Sequence, residues 1–480
     1  MRSESEQNQI EATSSLTTRA AWLVWSGIVN LANSVLRWMV LARGRDAAEV
    51  GRFTIAMSVY LIFSGLCTLG LGPYLVSEFT RRKEQQSHLS FTASAAVFLS
   101  LCSVALAVLM CATGFFVSEA SEVRLTIALL SLALLPTGFV VIAEAVFIAN
   151  GKTRVVALAN TIENILRTLI PLLLVMRGKG LAMIALAFAG ARLAACFIYA
   201  IAARNQLSAL RLAQRSEVIA LSRVTPTFAG ITILSSIHWQ VAALLLGSLG
   251  SEIATAHYGV ASRFLVPVAV LLASYTSVIQ PEATRRAAVS LASLGAFLSR
   301  ALRYVIVLAL PFVVGTWLLA REALTWLFGA QYGDAAHVLG LLGASALPLS
   351  LVMIVARGLV ATNQQRVDLF GNFVAVVTCC LLGLLFIPRY GASGAAAAHL
   401  LSMIALALVE IVYAARQLFK IEIGKAVLHC CAPLVLMALV VWSARSWGLW
   451  SAMLLGAAVY FALLGLLQLQ PKRAAEHWRT

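Results

Sequence analysis

The chain has 480 residues, of which 61% are hydrophobic and 12% charged, and a formal net charge of +16. A soluble domain is roughly half apolar and a quarter charged, so this composition excludes a soluble enzyme and describes an integral membrane protein. Most of its cations flank apolar runs, which makes them markers of membrane topology and argues against nucleic acid as a partner.

A membrane-crossing helix needs about 20 apolar residues, and the sequence holds about fourteen such runs joined by short connections. Residues 1–19 are polar and carry Glu4, Glu6 and Glu11, unlike the basic start of a cleaved signal peptide. They read as a cytoplasmic tail. With that end inside, the inner connections hold Arg81, Arg82, Lys83, Lys152, Arg154, Arg204, Arg211, Arg285, Arg286, Lys420, Lys472 and Arg473. The outer ones hold fewer cations, chiefly Arg43, Arg45, Arg177, Lys179, Arg321, Arg389 and Arg445. This satisfies the positive-inside rule, and an even number of crossings puts both termini in the cytoplasm.

The first expected helix runs from about Ala20 to Leu41, with Ser26, Asn30, Asn33 and Arg37 along one face. That stripe is expected to face protein or water. The second runs from Gly51 to Val76 and the third from Leu89 to Val117; neither presents a site. The fourth, Leu125 to Ala149, carries Glu144 and ends at Asn150-Gly151-Lys152-Thr153. Val146 stands where a phosphate loop needs its first glycine and no strand precedes it, so this is read as a turn.

The fifth helix, Val156 to Met176, is the most polar of the first half, with Asn160, Glu163, Asn164 and Arg167 on roughly a third of its circumference. Glu163 and Arg167 are four apart and can pair along the helix. Either they form a buried pair stitching helices together or they line a hydrated cavity, and the sixth helix, Leu181 to Ala203, adds Arg192 with the same two readings. Residues 20–203 thus make a first six-helix bundle, and 204–224 a cytoplasmic linker.

A second bundle is expected over 225–415. Its seventh helix lies over the first with Gln240 on Arg37, the eighth lies over the second with Tyr258 on Phe53, and further on Leu347-Pro348 falls on Leu135-Pro136 and Asn372 on Asn160. The expected fold is therefore all-α, with two six-helix bundles related by a pseudo-two-fold repeat. Residues 416–480 add two extra helices and a tail. In the eighth helix Arg263 lies about six residues, or roughly 9 Å, below the outer end. It either snorkels or faces the interior, and in the second case Arg37 and Arg263 form a cationic outer pole. Guanidinium groups in a water-lined cavity suit phosphate or carboxylate.

Enzyme chemistry finds no footing. There is no His-Glu-x-x-His, Gly-x-Ser-x-Gly or Cys/His cluster, and the eight cysteines lie in apolar runs without a Cys-x-x-Cys motif. No catalytic residue, metal site or cofactor is expected.

The sequences Glu49-Val50-Gly51-Arg52-Phe53-x-x-Ala56, Leu69-Gly70-Leu71-Gly72, Tyr258-Gly259-x-Ala261-x-Arg263 and Leu327-Phe328-Gly329-x-x-Tyr332 occur in an order that resembles the polysaccharide-transporter (Wzx-type flippase) branch of the multidrug/oligosaccharidyl-lipid/polysaccharide exporter superfamily. The resemblance covers nearly the whole chain. It implies alternating access and the transport of an undecaprenyl-pyrophosphate-linked oligosaccharide, an O-antigen or exopolysaccharide repeat unit, across the bacterial inner membrane. It also implies a pyrophosphate-binding role for Arg37 and Arg263, with Asn30, Asn33, Asn160, Glu163, Asn164, Arg167, Arg192 and Gln240 as a polar network. Membrane lipid, polysaccharide polymerase and chain-length proteins are the expected partners. A lipid II flippase, a multidrug exporter and a membrane-embedded polymerase are the alternatives. Many relatives have an acidic residue in the seventh helix where this chain offers only Gln240, and the first helix carries an arginine where drug exporters carry an acid.

Overall fold

The structure, a computed structural model, describes residues 22, 25–81, 85–204, 212–418 and 424–468. The expected tails at 1–19 and beyond 468, with Arg82, Lys83, Arg211, Lys420, Lys472 and Arg473, lie outside the described residues. Every regular element among the described residues is helical, and the chain forms two compact units, Met1–Ala256 and His257–Thr480.

The first unit contains α1 (25–44), α2 (Ala47–Thr68), α3 (Gly72–Arg81), α4 (Gln85–Val117), α5 (Ser121–Ser131), α6 (Thr137–Ala149), α7 (Thr153–Met176), α8 (Leu181–Ala202) and α9 (Arg215–Leu249), and it ends within α10 (Glu252–Ser262). Helix α2 starts at an N-cap of the expected chemistry: Asp46 accepts from the Glu49 backbone N–H at 2.7 Å, satisfying a donor that the first turn leaves open. Two thirds of its apolar window is buried. Against it packs α9, at a spacing set by small residues. A Cβ on Gly247 would strike Ile55, one on Gly65 would strike Ser236, and one on Gly51 would strike the Glu252 carbonyl.

The expected second helix stops early. Leu69 and Gly70 both take left-handed conformations, at φ 49° and 65°, so the 3.6-residue repeat cannot continue, and Pro73 sits where a new helix has no need of its N–H. The fourth span is likewise two helices. Leu132, Ala133 and Leu134 donate to carbonyls three residues back, and Pro136, which has no N–H, closes this tight turn. The Asn150-Gly151 stretch is a turn, as expected, with Gly151 at φ 71° and the Lys152 N–H donating to Phe147. Helix α9 begins ahead of its membrane span, which is Ala229–Leu249. Its polar start is tied to α4, where Ser90 and Ser94 each donate to Glu217 at 3.0 Å.

The second unit holds the rest of α10, then α11 (Leu265–Val289), α12 (Leu291–Leu318), α13 (Ala320–Phe328), a 3-10 turn (Ala330–Ala335), α14 (Ala336–Ala344), α15 (Ala346–Ala361), α16 (Gln365–Gln417), α17 (Gly424–Ala444) and α18 (Leu449–Gln468). Helix α16 is two helices joined across a kink at Gly391, whose φ of 54° and ψ of −128° lie outside the helical region. Helices α14 and α15 break at Ser345, just before Pro348. The first unit breaks just before Pro136, so the repeat inferred from Leu135-Pro136 and Leu347-Pro348 extends to the interruption itself. Eleven stretches are long and apolar enough to cross a membrane. With α16 counted as two and with α1 and the α5–α6 pair added, the chain is an all-α membrane protein of about fourteen spans.

The two extra helices pack on α12. Tyr460 is fully buried and donates to the Val307 carbonyl at 2.9 Å, which satisfies its hydroxyl inside an otherwise apolar cluster of Leu319, Met437, Val441 and Leu464.

Candidate functional site

Charged side chains inside membrane helices are costly unless they meet one another, and in the first unit they do. Glu163 on α7 is buried, with 3% of its side chain exposed. One of its oxygens lies 2.7 Å from the Arg167 guanidinium on the same helix, and the other lies 3.0 Å from Arg192 on α8. Arg192 also donates from Nε to the Thr137 hydroxyl at 3.4 Å, and Thr137 is the first residue of α6 after the break at Pro136. Arg167 reaches the Tyr60 hydroxyl of α2 at 3.5 Å.

An aromatic side chain completes the cluster. Phe188 of α8 is buried, and the guanidinium carbons of Arg37 from α1 and Arg167 from α7 lie 5.0 and 5.3 Å from its ring centroid. Both fall within the range of cation–π attraction. The ring also makes an edge contact with Phe53 at 6.3 Å, which in turn meets Trp38 at 5.9 Å. Beyond Arg192, Tyr199 donates to Glu144 at 3.3 Å. Three guanidiniums and two carboxylates from α1, α6, α7 and α8 are thus gathered in one unit.

Two of the amides have partners on their own helices. Asn33 donates to the Val29 carbonyl at 2.9 Å and Asn164 to the Asn160 carbonyl at 2.8 Å; Asn30 is exposed, Asn160 half-buried, and Gln240 on α9 half-buried. Asn33 contributes through its backbone, its carbonyl accepting from Thr168 of α7 at 3.4 Å.

Arg263 belongs to the second unit and sits at the break between α10 and α11. Pro267 has no N–H to offer the Arg263 carbonyl, which accepts from Val266 at 3.3 Å, while the Arg263 side chain donates to Gly259 at 3.2 Å. The proline four residues after Arg263 is the sequence signal that divides this span into two helices. Nearby, Phe264 meets Phe328, Phe328 meets Tyr332 and Tyr332 meets His257, with ring separations of 6.1, 6.3 and 6.1 Å. The Leu327-Phe328-Gly329 motif turns at Gly329, φ 109°. These motifs are packing devices. So is Gly51-Arg52-Phe53: Gly51 backs onto Glu252, and Arg52 bridges Glu122 at 3.3 Å and Glu252 at 3.8 Å.

The second unit has two further features. A cavity of about 220 Å³ lies among α12, α17 and α18, lined almost entirely by apolar atoms including Phe264, Phe312, Met437, Met453, Ala457 and Phe461. On α16, Asn372 donates to the Asp368 carboxylate at 2.7 Å, and Glu410 is fully buried. Among the described residues no cluster of His, Cys, Asp or Glu is arranged to hold a metal ion.

A family model described as "Polysaccharide biosynthesis protein" matches residues 16–286, and one described as "Lipid II flippase MurJ" matches residues 232–464. No curated protein sequence matches the chain significantly. Among solved structures, the chain is similar to a lipid II flippase MurJ in an inward closed conformation. That match has a TM-score of 0.76 and 15% identity and covers 94% of this chain and 98% of that one. It is also similar to an inward-facing multidrug resistance MATE family transporter of the MOP superfamily, at TM-score 0.66 and 17% identity over 82% and 94% of the two chains. A MOP superfamily transporter from Pyrococcus furiosus, with a binding pocket described as of reverse polarity, matches at TM-score 0.55 and 16% identity over 82% and 95%. At these identities the shared property is the fold.

Proposed function

The chain belongs to the polysaccharide biosynthesis protein family, within the multidrug/oligosaccharidyl-lipid/polysaccharide exporter superfamily, and on that premise we propose that it is a flippase for an undecaprenyl-pyrophosphate-linked oligosaccharide. The observation that carries this reading is the gathering of three guanidiniums, Arg37, Arg167 and Arg192, around Glu163 and Phe188 in the first unit. Arginines keep their charge inside a membrane and present forked donors that match phosphate oxygens. A pyrophosphate head group has oxygens of that chemistry. The cargo's isoprenoid chain stays apolar throughout, and the 220 Å³ cavity of the second unit offers a surface of that chemistry.

In this reading the protein is a transporter and not an enzyme, sits in the bacterial inner membrane with both ends in the cytoplasm, and alternates access to carry the sugar across. Arg37 and Arg263 engage the pyrophosphate, and the remaining polar side chains shape the route. An O-antigen or exopolysaccharide repeat unit is the proposed cargo, with polymerase and chain-length proteins acting on it afterwards. Lipid II is the second reading, favoured by the match of residues 232–464 to the lipid II flippase model; both cargoes carry a pyrophosphate.

The test is the lipid-linked sugar pool of cells lacking the protein, separated by membrane face. Completed oligosaccharide-lipid accumulating on the cytoplasmic face supports the flippase and identifies its cargo. Completed but unpolymerised units on the outer face would assign a polymerase, and an unchanged pool would remove the lipid-linked cargo altogether.

A further inference from the structure

The position of Glu163 is unusual for a carboxylate whose only task is to neutralise its own helix. Its pairing with Arg167 already does that four residues along α7. Yet the same carboxylate is also held by Arg192 of α8, whose guanidinium approaches both oxygens, at 3.0 and 3.2 Å. Arg167, for its part, has further supports. Its guanidinium lies over Phe188 and reaches the Tyr60 hydroxyl. Removing the carboxylate would therefore leave Arg167 in place, with donors facing a vacated anion position, while Arg37 stands over the same ring.

We infer that Glu163 is an internal stand-in for the cargo's phosphate. In the empty site its carboxylate occupies Arg167. An entering phosphate oxygen takes over that guanidinium, and Glu163 withdraws to Arg192, its second partner. The exchange replaces one ion pair by another of similar charge and distance, so the bound anion is held without a deep energy well and can be released on the far side. Thr137 keeps Arg192 from following the carboxylate, and the Phe188 ring, wedged against Phe53, keeps Arg37 and Arg167 on a common platform. The other charged group of this cluster, Glu144, lies behind Arg192 with Tyr199 as its donor. This inference rests on the reading that the head group is a phosphate anion. It adds that the first unit carries a competitor for that anion.

The experiment is inorganic pyrophosphate binding to the purified full-length chain in detergent, by calorimetry and by the rise in unfolding temperature on ligand addition. Glu163→Gln is expected to bind pyrophosphate about tenfold more tightly, because one partly buried ion pair no longer competes. Its unfolding temperature should rise more on pyrophosphate addition than that of the unaltered chain. Arg192→Gln is expected to bind more weakly, because the carboxylate then belongs to Arg167 alone. Phe188→Leu should weaken binding about threefold or more, whereas Phe188→Trp should restore it.

A carboxylate with a purely structural role predicts the opposite sign, with Glu163→Gln binding no better than the unaltered chain, and that result would overturn the inference. Should Glu163→Gln fail to fold, unchanged or tighter binding by Arg192→Gln would overturn it equally. If the unaltered chain takes up pyrophosphate but Arg167→Gln takes up just as much, the inference falls and the flippase reading stands. No uptake by the unaltered chain removes both.

Discussion

The two arginines paired with Glu163 should differ in what they contribute to tertiary stability, although their distances are nearly equal. At about 3 Å and an effective dielectric constant of roughly 20, each attraction is on the order of 5 kcal/mol before desolvation. Removing both groups from water cancels most of this, and polar couplings between membrane helices average about 0.6 kcal/mol with a maximum near 1.7. What matters is the reference state. Unfolding within a membrane or detergent leaves the helices formed, so the Arg167–Glu163 pair, four residues apart on α7, survives it. The Arg192–Glu163 pair joins α7 to α8 and is lost. Double-mutant cycles with Glu163→Gln, read by equilibrium unfolding in mixed detergent, should therefore give about 1–1.5 kcal/mol for Arg192→Gln and below about 0.5 for Arg167→Gln. Equal couplings, or a larger one for Arg167, would show that the interhelical pair is not what joins the two helices.

Three further outcomes follow from the geometry. Gly51→Ala should destabilise the protein by about 1–3 kcal/mol, because the added Cβ meets the Glu252 carbonyl and backbone cannot swing aside; a lowered unfolding temperature checks it. Arg263→Ala should abolish export in cells while leaving the amount of membrane-inserted protein unchanged, and Arg263→Lys should restore it only in part, since a point charge replaces a fork. Full export by the double variant Arg37→Ala, Arg263→Ala would refute the pyrophosphate role of both. Ala457→Trp fills the apolar cavity between α12, α17 and α18. It should slow export of a long-chain lipid carrier without lowering the unfolding temperature, measured by accumulation of the inner-face lipid pool.

The membrane spans were legible because apolar runs are long and the connections between them short, and the turn at Asn150-Gly151 was legible because glycine supplies its positive φ. The breaks were harder to see. Hydrophobic periodicity continues straight through Leu132–Pro136 and through Arg263, and only the missing N–H of a proline interrupts it. The spacing of Glu163 and Arg167 allows a pair and equally a hydrated cavity, and it does not assign Arg192 to them, because that partnership spans 29 residues of sequence. A signal for it exists in the hairpin. The turn at Arg177-Gly178-Lys179-Gly180 is tight, with Gly178 at φ 66° and the Lys179 N–H donating to Leu174. Counted outward from Gly178, Glu163 comes level with Arg192 and Arg167 level with Phe188. Asn33 and Asn164, by contrast, look on a helical wheel like donors aimed at a cavity, yet their amide groups are taken by their own helices' carbonyls. A wheel shows direction and not hydrogen-bond state.

The ion-pair hairpin also bears on how the chain is made. Helix α7 emerges from the ribosome before α8, and its Glu163 and Arg167 can neutralise each other before Arg192 has been made. Helix α8 follows with Arg192, which alone at mid-helix costs about 2.5–3.5 kcal/mol to insert. The carboxylate that accepts Arg192 is then already in the membrane, on the helix synthesised just before it. Handed to the insertion machinery as a pair, α7 and α8 lower each other's barrier; separated by a long inserted loop, α8 would be expected to stall at the membrane surface.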